Sequence, residues 1–135
     1  MINLNISNKA LAIHLMRISF GINYFFHGLV RLPNLNKFVL HMEEIFINSL
    51  IPNFLITPVA YAIPFAEIII GVLLILNKYT RETIVATFIL MNILIIGCCF
   101  AQKWDNVGSQ TFYLGFLFIL LFFIEDKKWN QQSLY

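Results

Sequence analysis

Long apolar stretches alternate along this chain with short clusters of polar and charged residues. A bilayer core of ~30 Å needs roughly 20 helical residues to cross it. Four stretches, at about 9–32, 57–76, 82–101 and 108–124, answer to that length and predict four membrane spans. The second has Pro58 in its first turn, where a missing N–H costs little. The fourth is clearest from Gln110 to Ile124, which is short, so it is expected to begin a turn earlier. The polar connector NKYTRE at 77–82 is tight and favours an antiparallel pair of spans on either side of it.

A fifth stretch, NKFVLHMEEIFINSL at 36–50, is too short and too charged to span. Phe38, Met42, Ile45, Phe46 and Ser49 fall on one helical face, and Lys37, His41, Glu44 and Asn48 on the other. Pro33 with Asn34 or Asn36 offers a start, and Pro52 a stop. The pattern predicts an amphipathic helix on the outer membrane surface, or one capping the bundle. It is either a lid over a cavity or a plain connector. The expected fold is therefore all-α: one integral membrane domain over 1–135, a four-transmembrane-helix bundle with a short extracytoplasmic amphipathic helix between the first two spans.

Composition sharpens this. The 135 residues are 59% hydrophobic and only 12% charged, where a soluble domain has about a quarter. So few charges cannot cover a water-facing surface, and the lipid bilayer is the expected surroundings. The net charge of +2 is small and no basic run points to nucleic acid. The two cysteines, Cys98 and Cys99, are adjacent. They form neither a CxxC pair nor a metal-ligand pattern, and read as small hydrophobes more readily than as redox groups. The N-terminus MINLNISNKALAIHLM lacks the marks of a removable signal peptide. Lys9, Lys78, Arg81, Lys127 and Lys128 fall on one side of the membrane, and Arg31, Lys37 and Lys103 on the other. That excess places both termini in the cytoplasm. Trp104 and Trp129 sit just beyond span ends, as interface anchors do. The run FYLGFLFILLFF reads as lipid-facing bulk.

The first span contains RISFGINYFFHGLVR, with cations where lipid should be. With Arg17 at the origin of a helical wheel, His14, Gly21, Tyr24, Gly28 and Arg31 fall within about 60° of it, and His27 at about 80°. Leu15, Ile18, Ile22, Phe25, Phe26 and Leu29 occupy the opposite arc, with Ser19 its one polar member. The cationic face must turn into the bundle, because an unpaired charge at mid-bilayer costs about 2.5 kcal/mol or more. Glu67 is the acid nearest the middle of a span, and it shares a face with Ala60, Pro64, Gly71 and Lys78. The expected arrangement is an ion pair between Arg17 and Glu67, with Tyr24 and Asn92 as further partners. Such a pair can serve chemistry, or only register and packing. His27, a turn before Arg31, is a candidate proton-exchanging group or an interface histidine held by a backbone carbonyl. Gln110 and Tyr113 could bond into an outer cavity near His27, or cap their helix.

RxxxGxxxxxHGxxR (Arg17, Gly21, His27, Gly28, Arg31), then PxxExxxGxLL with Glu67 and Gly71, then Thr80–Arg81, resembles the DoxX family of small bacterial membrane proteins over about 11–124. Many relatives carry lysine where this chain has Arg31, whose planar fork makes a different contact. The resemblance implies a four-helix bundle in the bacterial cytoplasmic (inner) membrane. It also implies an accessory subunit of a membrane redox or stress-response system, beside an oxidoreductase partner. A candidate intramembrane pocket of Arg17, Tyr24, His27, Arg31 and Glu67 could then hold a quinone-like molecule. The residues themselves offer no haem-ligand pair, flavin motif or metal cluster: His14 and His27 sit on different faces and at different depths. An electron carrier would have to come from a partner. The competing readings are a non-catalytic membrane anchor, assembly factor or scaffold, and a small transporter, which would need a homo-oligomer to form a pore.

Overall fold

A computed structural model of the chain describes residues 7–124, so Lys127, Lys128 and Trp129 lie outside the described residues. Five α-helices follow one another: α1 (Asn8–Leu29), α2 (Leu35–Phe46), α3 (Asn53–Ile75), α4 (Thr80–Phe100) and α5 (Trp104–Ile124), with a 3-10 turn at Leu32–Asn34 before α2. There is no strand among the described residues. The ends have local causes. The Ser7 side chain accepts the Ala10 N–H at 3.3 Å and starts α1. Pro33 stands where α1 has stopped. Pro52 fixes the backbone just before α3, so that helix begins four residues ahead of the expected Thr57 and Pro58 lies within its second turn. Asn77 takes the left-handed conformation after α3 (φ 54°), and its side-chain oxygen accepts the Thr80 hydroxyl at 2.8 Å where α4 starts. The fourth stretch begins at Trp104, more than a turn before Gln110.

Three helices, α3, α4 and α5, are long and apolar enough to cross a membrane. α1 has 22 residues but carries Arg17, Asn23 and two histidines, which lower its hydropathy. It lies against α3 along most of its length. Its buried residues are Ala10, Ile13, Arg17, Gly21, Tyr24 and Gly28, while Leu15, Ile22, Phe26 and Leu29 are exposed. The face turned inward is thus the cationic, glycine-notched one. α3 answers with buried Ala60, Ile63, Pro64, Glu67, Ile70, Gly71 and Leu74.

Glycine makes this approach close. A Cβ on Gly71 would stand 2.5 Å from the Phe25 nitrogen and 2.7 Å from the Gly21 carbonyl oxygen. A Cβ on Gly28 would overlap the Pro64 carbonyl oxygen. The same contacts set the register. Gly21 faces Gly71 and Ile75, and Gly28 faces Pro64 and Ile68. The two helices are therefore staggered, and residues 53–63 of α3 run on past the end of α1.

α2 fills that space. It packs on α3, with Glu43 accepting the Thr57 hydroxyl at 2.5 Å and Asn36 accepting the Tyr61 hydroxyl at 2.8 Å. Val39 and Phe46 are buried and Phe38, Met42 and Ile45 half-buried, whereas Lys37, His41, Glu44 and Asn48 are exposed. α5 returns against α4, and Leu117, Leu120, Ile84 and Leu74 close the core at the end of the bundle away from α2. The outer faces are apolar: Ile89, Ile93 and Ile96 of α4 and Phe112, Phe116, Phe118 and Phe122 of α5 are exposed.

Candidate functional site

The stagger of α1 on α3 decides which cation meets the acid. Arg17 lies opposite the last turn of α3, seven residues from Glu67, or roughly 10 Å at 1.5 Å per residue. It does not pair with Glu67. Its guanidinium donates to the Leu74 carbonyl and, at 3.2 Å, to the Ile75 carbonyl. Those are carbonyls of the helix C-terminus, which lack partners within the helix and carry its negative end. Arg17 is therefore a cap on α3, and the expected Arg17–Glu67 ion pair does not form.

The partner of Glu67 is Arg31. Its Nη1 donates to Glu67 Oε2 at 2.5 Å, and the Glu67 side chain is 6% exposed against 28% for Arg31. The Arg31 guanidinium also stands 4.7 Å from the centre of the Phe38 ring, a cation–π contact from α2. Asn92 is not a partner either: it is exposed, and its amide donates to the Phe88 carbonyl of its own helix at 2.9 Å.

The Arg31–Glu67 pair stands between two clefts. One, of about 400 Å³, lies under α2. Phe38, Met42 and Phe46 roof it, and Ile63, Ile93 and Gly97 form its floor and walls. Its lining is largely apolar, and several of its residues (Leu55, Val59, Ile93, Ile96) are also exposed on the outside of the bundle. α2 therefore covers a cavity as well as connecting two helices. The other cleft, of about 330 Å³, lies between α1 and α5. Asn23, Tyr24, His27, Ser109 and Tyr113 line it. Arg31, Glu67, Leu94, Asn106 and Gln110 belong to both.

Of the expected pocket residues, Tyr24, His27, Arg31 and Glu67 come together around the second cleft, and Arg17 does not. Asn23, Asn106 and Ser109 join it unforeseen. Asn23 donates to the Tyr113 hydroxyl at 2.9 Å, tying α1 to α5. His27 Nδ1 lies 3.0 Å from the Asn23 carbonyl oxygen. Gln110 donates to Cys98 Sγ at 3.6 Å across to α4. Cys98 and Cys99 are both free thiols, and Cys98 lines the apolar cleft. Two buried polar atoms beside the clefts, the Tyr24 hydroxyl and Gln110 Oε1, have no partner among the described residues. No group of three or more His, Cys, Asp or Glu side chains able to hold a metal occurs among the described residues.

The arrangement can bind an apolar ring or tail in one compartment. It can also present a charged pair and an amide to a polar head at the compartment's inner end. Residues 9–110 match a family whose description is Methylamine utilisation protein MauE. No curated protein and no solved structure matches the chain.

Proposed function

The chain belongs to the MauE family of multi-pass membrane proteins, and on that premise we propose that it is an accessory membrane subunit of a redox or stress-response system. In this reading α1 is a fourth span beside the three apolar ones, carried through the lipid by its packing on α3. A quinone-like molecule lies in the apolar cleft under α2, with its head at the Arg31–Glu67 pair. The single observation that carries the reading is the position of that pair: a buried carboxyl held by a half-buried arginine at the inner end of an apolar cleft of about 400 Å³. A quinone asks for an apolar slot with a few polar groups at one end, and ligand sites generally have that make-up. The family name supports a place in methylamine utilisation or a system like it. The resemblance of the Arg17–Arg31 and Pro64–Leu74 motifs to DoxX proteins supports the redox setting. The electron carrier belongs to an oxidoreductase partner.

Orientation follows the cations. Arg31 is taken up by Glu67, leaving Lys37 and Lys103 on the α2 side and Lys9, Lys78 and Arg81 at the other end. That balance supports cytoplasmic termini in a bacterial inner membrane. A second reading, a non-catalytic anchor, assembly factor or scaffold, is supported by Arg17: each of its hydrogen bonds shown here goes to a backbone carbonyl at the end of α3.

The test is extraction. Protein purified from its native membrane is extracted with organic solvent and assayed for quinone by mass spectrometry, beside a Glu67→Gln control. Stoichiometric quinone in the wild type, lost from a still-folded variant, is the expected result. Its absence from both would move the assignment to the scaffold.

A further inference from the structure

The proposed ligand uses one side of Glu67. The polar cleft occupies the other, and its features point to water. At the α2 end of the bundle it is bordered by exposed residues: His27 in the last turn of α1, and Asn106 and Ser109 in the first two turns of α5. Further in it meets Tyr24, which is 5% exposed and whose hydroxyl has no partner among the described residues. It also meets Gln110, whose buried Oε1 is likewise unpartnered. An unmet buried polar group costs about 1–3 kcal/mol. One group is a hydroxyl that must donate and the other a carbonyl that must accept, and water does both. A cleft of about 330 Å³ has room for several waters, each taking about 30 Å³.

Neither cleft runs the opposite way. Between Glu67 and the far end of the bundle lie the buried Ile70, Leu74, Ile84, Leu117 and Leu120, and the buried polar groups at that end, Arg17, Thr83 and Thr87, line neither cleft. The titratable or charged groups around Glu67 are Tyr24, His27 and Arg31 from α1 and Tyr113 from α5. α4 brings Met91 and Leu94 to the polar cleft and Cys98 to the apolar one, and α2 brings Phe38, Met42 and Phe46. A carbonyl oxygen only accepts, so His27 Nδ1 bears a hydrogen in its contact with Asn23. Nε2 is then the nitrogen left to accept a hydrogen bond.

We infer that the polar cleft is a water-filled path by which the Glu67 carboxyl exchanges protons with the aqueous phase on the α2 side alone, across the Arg31–Glu67 pair from the apolar cleft. Glu67 then stands between two phases, reaching water through one cleft and a lipid-soluble ligand through the other. The path's use in ligand chemistry rests on the proposed function, but its existence does not.

Labelling of the full-length protein in sealed vesicles tests it. A membrane-impermeant, water-soluble carbodiimide with an amine nucleophile is added outside, and adducts are quantified by peptide mass spectrometry. The exposed Glu44 on α2 and Glu82 at the start of α4 report which side faces the reagent. The expected result is Glu67 labelling in vesicles where Glu44 reacts, and none where Glu82 alone reacts. Ser109→Trp, at an exposed position on the rim, should cut Glu67 labelling several-fold with Glu44 labelling unchanged, and Ser109→Ala should leave both unchanged. Labelling of Glu67 from the Glu82 side would overturn the inference. So would labelling by a membrane-permeant carbodiimide only, or indifference to Ser109→Trp. Quinone extraction is read independently, so a chain without quinone can still show the path.

Discussion

Gly71→Ala adds one methyl group where the backbones of α1 and α3 pass closely. The new carbon would stand 2.5 Å from the Phe25 nitrogen, 2.7 Å from the Phe25 Cα and 2.7 Å from the Gly21 oxygen. All three are backbone atoms, so no side chain can swing away. Ordinary contact begins at 3.4 Å, so α1 must retreat by about 0.9 Å at that level. Overpacking of this kind costs about 1–3 kcal/mol. The loss exceeds what alanine returns as a helix former, up to about 1 kcal/mol over glycine. Gly115→Ala and Gly108→Ala are the matched controls, because a Cβ at either meets nothing within 4 Å. They should be neutral or stabilising. The assay is unfolding of the detergent-solubilised protein by a denaturing detergent, followed by circular dichroism. Gly71→Ala should unfold earlier than wild type, and Gly115→Ala at the same point or later. If Gly71→Ala were as stable as Gly115→Ala, the close α1–α3 contact, and with it the register that brings Arg31 to Glu67, would be refuted.

Three further outcomes follow from the same geometry. Arg31→Met should destabilise the bundle by about 3–5 kcal/mol because it leaves Glu67 buried and unpaired, Glu67→Leu by less because Arg31 keeps part of its exposure, and the double variant should be milder than Arg31→Met; additive losses in the same unfolding assay would deny the pair. Arg17→Leu should lower stability by about 1–3 kcal/mol by removing the cap on the Leu74 and Ile75 carbonyls, of which Leu74 keeps the Asn77 N–H at 3.3 Å, yet leave bound ligand unchanged per folded protein; loss of ligand would return Arg17 to the site. Thr57→Val removes the hydroxyl held by Glu43 and should raise the reactivity of a cysteine placed at the buried Val39 position toward a soluble maleimide, which an α2 not anchored there would not show.

The inward face of α1 was legible in the sequence because a helical wheel needs only angles. Arg17, Gly21, Tyr24 and Gly28 point one way and are buried, while Leu15, Ile22, Phe26 and Leu29 point the other and are exposed. Depth was not legible. A pairing of Arg17 with Glu67 assumes that the first two spans begin and end at the same levels, but Pro52 starts α3 four residues early and Gly28 locks against Pro64. The resulting slide replaces Arg17 by Arg31. The polar cleft was half legible. His27, Gln110 and Tyr113 announced themselves by type, whereas Asn23 lies about 120° from Arg17 on the wheel, outside the cationic face. It lies on the same flank as His27, and only the return of α5 explains a polar residue there. The roof of the apolar cleft is a similar case. The amphipathic pattern gave the buried side of α2, but what that side covers depends on how far α1 falls short of α3.

Photolabelling locates a quinone on the protein. The purified protein is illuminated with an azido-quinone, with and without excess unlabelled quinone, and the adducts are mapped by peptide mass spectrometry. Competed labelling is expected only on the walls of the apolar cleft, on α2 between Phe38 and Phe46, on α3 between Leu55 and Ile63 and on α4 between Ile93 and Cys98, and is expected to be lost in Glu67→Gln. Labelling spread over the exposed phenylalanines of α5, or adducts that unlabelled quinone does not displace, would contradict it.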